Sequence, residues 1–185
     1  MRLNLGCGNN KLPGWINVDR SPACQPDEVV DLELCPWPWP DGSVDEILLN
    51  HVLEHLGATP ERYIAIMKEM WRVCRNDARV TIVVPHPRHD DFLGDPTHVR
   101  VVTGPGLQLF DRKLNEKWMR AGASNTPLAV YHGVDFEVVE ATMHLDEPWM
   151  SALEQGKISQ SAVAEAAQRL NNVVKEQRFV LKAIK

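Results

Sequence analysis

At 185 residues, 44% hydrophobic and 24% charged, the chain suits one globular domain with a substantial core. Its net charge of −5 excludes the broadly basic surface that non-specific nucleic-acid binding needs. No stretch approaches the roughly 18 uninterrupted apolar residues of a membrane span, and the opening MRLNLGCGNN lacks the apolar run of a secretory leader.

The first predicted strand, Leu3 to Leu5, runs into Gly6-Cys7-Gly8, a strand ending at a glycine turn. Trp15 to Val18, closed by Asp19, is the second, Val29 to Leu32 the third, and Glu46 to Leu49, ending at Asn50, the fourth. Thr59-Pro60-Glu61 opens a helix with a capping residue and a first-turn proline. Tyr63, Ile64, Ile66, Met67, Met70, Trp71 and Cys74 continue it at amphipathic spacing to about Arg75. A β-branched strand covers Arg79 to Val84, and a His- and Asp-rich loop follows over residues 86–103. A helix is expected over Pro105 to Arg120, a strand over Phe136 to Leu145, a helix over Ser159 to Lys175 and a last strand over Arg178 to Ile184. Short apolar strands joined by crossovers predict an α/β, Rossmann-like three-layer sandwich whose sheet is mostly parallel. One domain spans 1–185, with a helical insertion at about 146–175.

Ligands of open α/β sheets sit beyond the strand carboxyl ends. Gly6 and Gly8 let the backbone approach such a ligand closely, and Asp19 can accept hydrogen bonds from ribose hydroxyls. GCGNNK lacks the third glycine of a dinucleotide fingerprint. The short stretch Asn9 to Gly14 leaves no room for the helix N-terminus that a pyrophosphate prefers.

Taken in order, LNLGCGNNKLPGWINVD, VVDLELCPWPWPDGSVDEI, LLNHVLEHL and MKEMWRVCRNDARVTIVVP resemble the core of the class I S-adenosylmethionine-dependent methyltransferases, in their type-11-like branch. The resemblance covers about residues 2–85, and DPTHVR resembles a segment after the fifth strand in some members. It implies about seven strands with an antiparallel last strand, and S-adenosyl-L-methionine as cofactor. Gly6, Cys7 and Gly8 are then expected to line its methionine part, with Asn4 standing where the family often has an acid that meets the ammonium. Asp19 would hold the ribose, Asp31 and Leu32 the adenine, and Asn50 would face the sulfonium region. Trp37 and Trp39, alternating with prolines, read as packing residues, with the edge of the adenine as the alternative.

His51-Val52-Leu53-Glu54-His55 also spells HxxEH, a zinc-hydrolase signature whose histidines share one helix face. No third ligand is identifiable and the resemblance absorbs the same letters, so no metal is expected. The four cysteines, Cys7, Cys24, Cys35 and Cys74, form no CxxC pair and read as reduced thiols in a cytoplasmic protein.

On the acceptor side, the loop after the fifth strand offers His98 or His86 as general base, with Asp95 orienting it. The methyl acceptor itself is unidentified, a small molecule being favoured over nucleic acid or membrane. The rival reading is a non-catalytic binding module on the same core. Because the sequence starts almost at the first strand, the site is expected to be open or completed by another subunit. Pro148-Trp149-Met150 is expected in the core, with an acceptor wall or a homodimer contact as alternatives.

Overall fold

A computed structural model describes all of residues 1–185. Strands β1 (Arg2–Leu5), β2 (Ile16–Asp19), β3 (Glu28–Val29), β4 (Val44–Asn50), β5 (Cys74–Pro85), β6 (Phe136–Leu145) and β7 (Val174–Ala183) form one sheet in the order β3-β2-β1-β4-β5-β7-β6. The first five strands pair in parallel, and β7 runs antiparallel between β5 and β6. This is a Rossmann-like α/β sheet of seven strands with its last strand reversed.

Pairing register explains which residues form the core. Leu3 lies beside Ile47, Ile47 beside Val80 and Val80 beside Leu181, and all four are fully buried. The neighbouring row on the opposite face reads Arg2, Glu46, Arg79, Lys182 and Glu137, charged and half-buried to exposed. This alternation is the period-2 pattern of strands; on the charged face Asn4 and Val180 are nonetheless buried. Between β1 and β4 the connections contain no α-helix, only a 3₁₀ turn at Pro22–Cys24.

The first long helix, α1 (Pro60–Val73), starts where its sequence predicts: the Thr59 hydroxyl accepts from the Arg62 N–H and Pro60 occupies the first turn. Ile66, Met67, Met70 and Val73 are fully buried in the main core, each contributing about 1.5–3 kcal/mol of hydrophobic stabilisation. Arg72 anchors the proline-broken stretch below. Its guanidinium donates to both Glu69 carboxylate oxygens at 2.9 and 2.8 Å, to Asp41 at 2.5 Å, and to the carbonyls of Trp37 and Trp39 at 3.0 Å. Trp37 and Trp39 are buried edge to face, with centroids 5.8 Å apart, as packing residues.

Later boundaries depart from the sequence pattern. The helix expected over Pro105 to Arg120 is two, α3 (Gly104–Gln108) and α4 (Arg112–Arg120), preceded by the short α2 (Asp90–Leu93). The break occurs because the Asp111 carboxylate accepts from Leu114 N–H at 2.8 Å and starts a new helix there. After α5 (Leu128–His132), the β6–β7 connection holds α6 (Trp149–Glu154) and α7 (Gln160–Arg169). Helix α7 stops short of Lys175 because Leu170 is extended, Asn172 has φ 57° and β7 pairing takes over at Val174. Trp149 and Met150 are half-buried. No helix is long and apolar enough to cross a membrane.

Replacing Arg72 with Ala should lower unfolding stability by about 3 kcal/mol in urea titration, because it leaves Glu69 buried beside empty space. Arg72 holds the Glu69 carboxyl below its ordinary value, helped by the Trp37 N–H against the opposing effect of burial. A lowered folded-state value stabilises above the ordinary carboxylate pKa and loses that effect as pH falls through the folded one. The stability gap between wild type and R72A should therefore narrow on acidification below about pH 4.

Candidate active site

The carboxyl ends of β1 to β4 open into a cleft of about 510 Å³, within the range of small-ligand sites. One wall is Gly6, Asp19, Arg20, Val30, Asp31, Leu32 and Glu33; the other is His51, Val52, His55, Leu56, Thr97 and Val99.

The first wall is built by the glycine turn. Gly6 and Gly8 have φ of +65° and +51°, a left-handed backbone that costs other residues about 1–2 kcal/mol. Gly6 is further constrained, since a Cβ there would lie 2.5 Å from Val52 Cγ2. The turn is fastened to β2: Cys7 N–H donates to Val18 O and Gly8 N–H to Asp19 Oδ2, both at 2.9 Å. Asp19 Oδ1 accepts from Ser21 N–H at 2.8 Å. Each carboxylate oxygen keeps a second lone pair for a ligand.

Of the residues that the sequence nominates for a cofactor, Gly6, Asp19, Asp31 and Leu32 line this cleft. Gly8 shapes it by holding Asp19. Cys7 is buried, with Sγ 3.5 Å from Gly8 O. Asn50 ends β4 exposed, outside the lining.

Asn4 does something else. Buried in β1, it donates from Nδ2 to Asn10 O and to Asn17 Oδ1, both at 2.9 Å. Asn17 Oδ1 also accepts from Leu12 N–H at 2.7 Å, and its Nδ2 donates to Asp27 at 2.8 Å. This amide ladder pins the β1–β2 connection across the sheet. A carboxylate at position 4 would face two oxygens, which is why an amide fits where an acid was the family expectation.

The second wall corrects the helical premise of the HxxEH reading. His51 is left-handed at φ 55°, and only Leu53–His55 form a 3₁₀ turn, so the two histidines do not share a helix face. His51 Nε2 meets Glu176 at 3.1 Å and its Nδ1 lies 3.5 Å from Glu54. Glu54 holds the His51 ring above its ordinary pKa against the effect of burial, and Glu176 adds to the rise. The Glu176 partner comes from β7, far along the chain, and only the antiparallel register brings it there.

His98 and Asp95 are neighbours, with Nε2 3.8 Å from Oδ2, but His98 is mostly buried behind the wall formed by Thr97 and Val99. His86 is not in the lining; burial and then Arg88 lower its pKa, and its Nδ1 accepts from Arg88 N–H at 3.2 Å. The loop carrying it is tethered to the β6–β7 insertion. His89 Nε2 meets Asp146 at 3.0 Å, Asn172 and Asp90 exchange two hydrogen bonds at 2.9 Å, and the Arg88 guanidinium donates to Gln168 O at 2.5 Å.

Residues 3–82 match the methyltransferase domain family. No curated protein matches the chain. Among solved structures, an S-adenosylmethionine-dependent methyltransferase from Archaeoglobus fulgidus is similar at 17% identity and TM-score 0.65, over 98% of this chain and 85% of that one. The YcgJ protein from Bacillus subtilis is similar at 14% identity and TM-score 0.51, over 100% and 91%. The [4+2]-cyclase SpnF follows at 12% and 0.54, over 99% and 75%. At these identities the likeness is one of fold.

Two substitutions test the turn and the ladder. Gly6→Ala should cost clearly more stability than Gly42→Ala, whose φ of +62° meets open space, because only the former also displaces Val52. Asn4→Asp should destabilise by about 1–3 kcal/mol through loss of both donations. Urea midpoints read both comparisons.

Proposed function

We propose that the cleft binds S-adenosyl-L-methionine for methyl transfer to a small acceptor, a reading supported by the match of residues 3–82 to the methyltransferase domain family and by the order of the seven-stranded sheet. The observation that carries this reading is the clasp of Gly8 N–H on Asp19 at the head of the cleft. It presents a fixed carboxylate to a ribose diol, beside a turn that only glycine can make.

The charge of the wall supports the same ligand. Asp19, Asp31 and Glu33 oppose a single cation, Arg20, a balance that suits a sulfonium with an ammonium group and repels a pyrophosphate or a nucleic-acid backbone. Gly6 would leave room for the methionine part, and Asp31 with Leu32 would border the adenine. Bound there, the cofactor supplies an electrophilic methyl group. The protein's work is to hold the acceptor in line with it, and positioning of this kind is worth about 7–11 kcal/mol.

Of the histidines, only His51 and His55 line the cleft. We infer that an acceptor hydroxyl or amine gives its proton on that side, while His98 and Asp95 support the wall and His86 stands apart. The insertion after β6 is tethered to the loop at residues 88–90, and we infer that it stands on the acceptor side.

Calorimetry with S-adenosylmethionine and S-adenosylhomocysteine tests the proposal. One molecule of each should bind per chain, and Asp19→Ala should weaken both by about 10–100-fold at unchanged circular dichroism. If neither ligand binds, or if Asp19→Ala leaves their affinity unchanged, the reading fails.

A further inference from the structure

Behind the second wall lies a group of side chains whose hydrogen bonding does not close. Glu54 is fully buried, and neither carboxylate oxygen has a hydrogen-bond partner. His51 Nδ1, at 3.5 Å from Oε1, is its cationic neighbour on the cleft side, and a buried carboxylate without hydrogen bonds remains costly. Facing it, His98 Nε2 lies 4.0 Å from Glu54 Oε1. A ring nitrogen of His98, one of His55 and a Glu54 oxygen all fall within 4.8 Å of one another.

The protons can be placed by following the acceptors. His98 Nδ1 lies 2.9 Å from the Phe92 carbonyl, which can only accept, so Nδ1 carries the proton. The Thr97 hydroxyl donates to Asp95 Oδ1 at 2.6 Å. Its oxygen must therefore accept from His55 Nδ1, 2.9 Å away, and His55 is protonated on Nδ1 too. In each ring Nδ1 is thus engaged, and Nε2 is the nitrogen left without a hydrogen bond. An outer acceptor fixing Nδ1–H while Nε2 stays free is the arrangement that orients metal-binding histidines.

We propose that Glu54, His55 and His98 bind one divalent transition cation. Two imidazoles and one carboxylate suit zinc, iron(II) or cobalt(II), not the all-oxygen preference of magnesium or calcium. This donor set is not that of the HxxEH reading, since Glu54 is a ligand, His51 is not, and His98 comes from the loop after β5. Because His55 and Thr97 also line the cleft, the cation's remaining positions open toward the acceptor. An acceptor hydroxyl bound there would be acidified without a protein base. The site departs from the metal-free expectation of the sequence.

The test uses chelator-stripped full-length chain without S-adenosylmethionine, so it is independent of cofactor binding. Calorimetry with zinc chloride should show one equivalent, and cobalt chloride should give the visible d–d bands of a nitrogen- and oxygen-ligated site. Glu54→Gln and His98→Ala should each weaken zinc by more than the ~10–100-fold that losing an outer partner costs, and Asp95→Asn should fall within that range. His132→Ala should bind as wild type. If either buried variant does not fold, His55→Ala at the rim carries the comparison. Absence of stoichiometric zinc on the wild-type chain overturns the proposal. So does unchanged affinity in the folded ligand variants, which would place any bound cation elsewhere, for example at Glu176, which meets His51 at 3.1 Å and His144 at 2.6 Å.

Discussion

Val52 rests against Gly6, the glycine of the turn at which an added side chain would meet its neighbour. That contact joins the two halves of the cleft. On one side, the turn after β1 is fastened to β2 through Cys7 and Gly8, fixing Asp19. On the other, Val52 sits between His51 and the 3₁₀ turn at Leu53–His55, so its placement sets where those side chains stand. A methyl group at Gly6 would separate the walls, since 2.5 Å is far inside any permitted carbon–carbon approach. The cleft therefore depends on an absence of atoms, backed by a β-branched residue that fills the space.

Much of this was legible in the sequence because the relevant physics is local. Strand, glycine turn, strand and acid are close along the chain, and α1 announces itself through a cap, a proline and a 3.6-residue period. What escaped was long-range. The reason for Asn4 lies in a ladder to Asn10 and Asn17, and an amide in a strand carries no sign of which oxygens it will meet. The pairing of His51 with Glu176 depends on antiparallel register at the far end of the chain. His98 was chosen for its chemistry, but the turn held by Asp95 and Thr97 carries its ring behind the wall. Helix lengths failed at Asp111 and Leu170, where a capping carboxylate and β7 pairing override the alanine-rich or amphipathic pattern.

The sheet economises on helices. Short connections without an α-helix join β1 to β4, and the row Glu46, Arg79 and Lys182 carries charges of both signs across the sheet. Arg72 compensates on the other side by gathering the stretch around Trp37 and Trp39 onto α1 through charge-assisted hydrogen bonds. Loops that would otherwise be loosely held are tied by single polar residues, each serving several backbone groups.

The reversal of β7 has a geometric outcome of its own. Parallel strands return their links to the end remote from ligands, whereas an antiparallel final pair leaves its hairpin connection at the same end as the carboxyl terminus of β5. The segment carrying α6 and α7 is thus delivered to the rim and stitched there through Asp146, Gln168 and Asn172. Lengthening or exchanging that hairpin changes what stands at this end of the sheet without altering the pairing of β1 to β5.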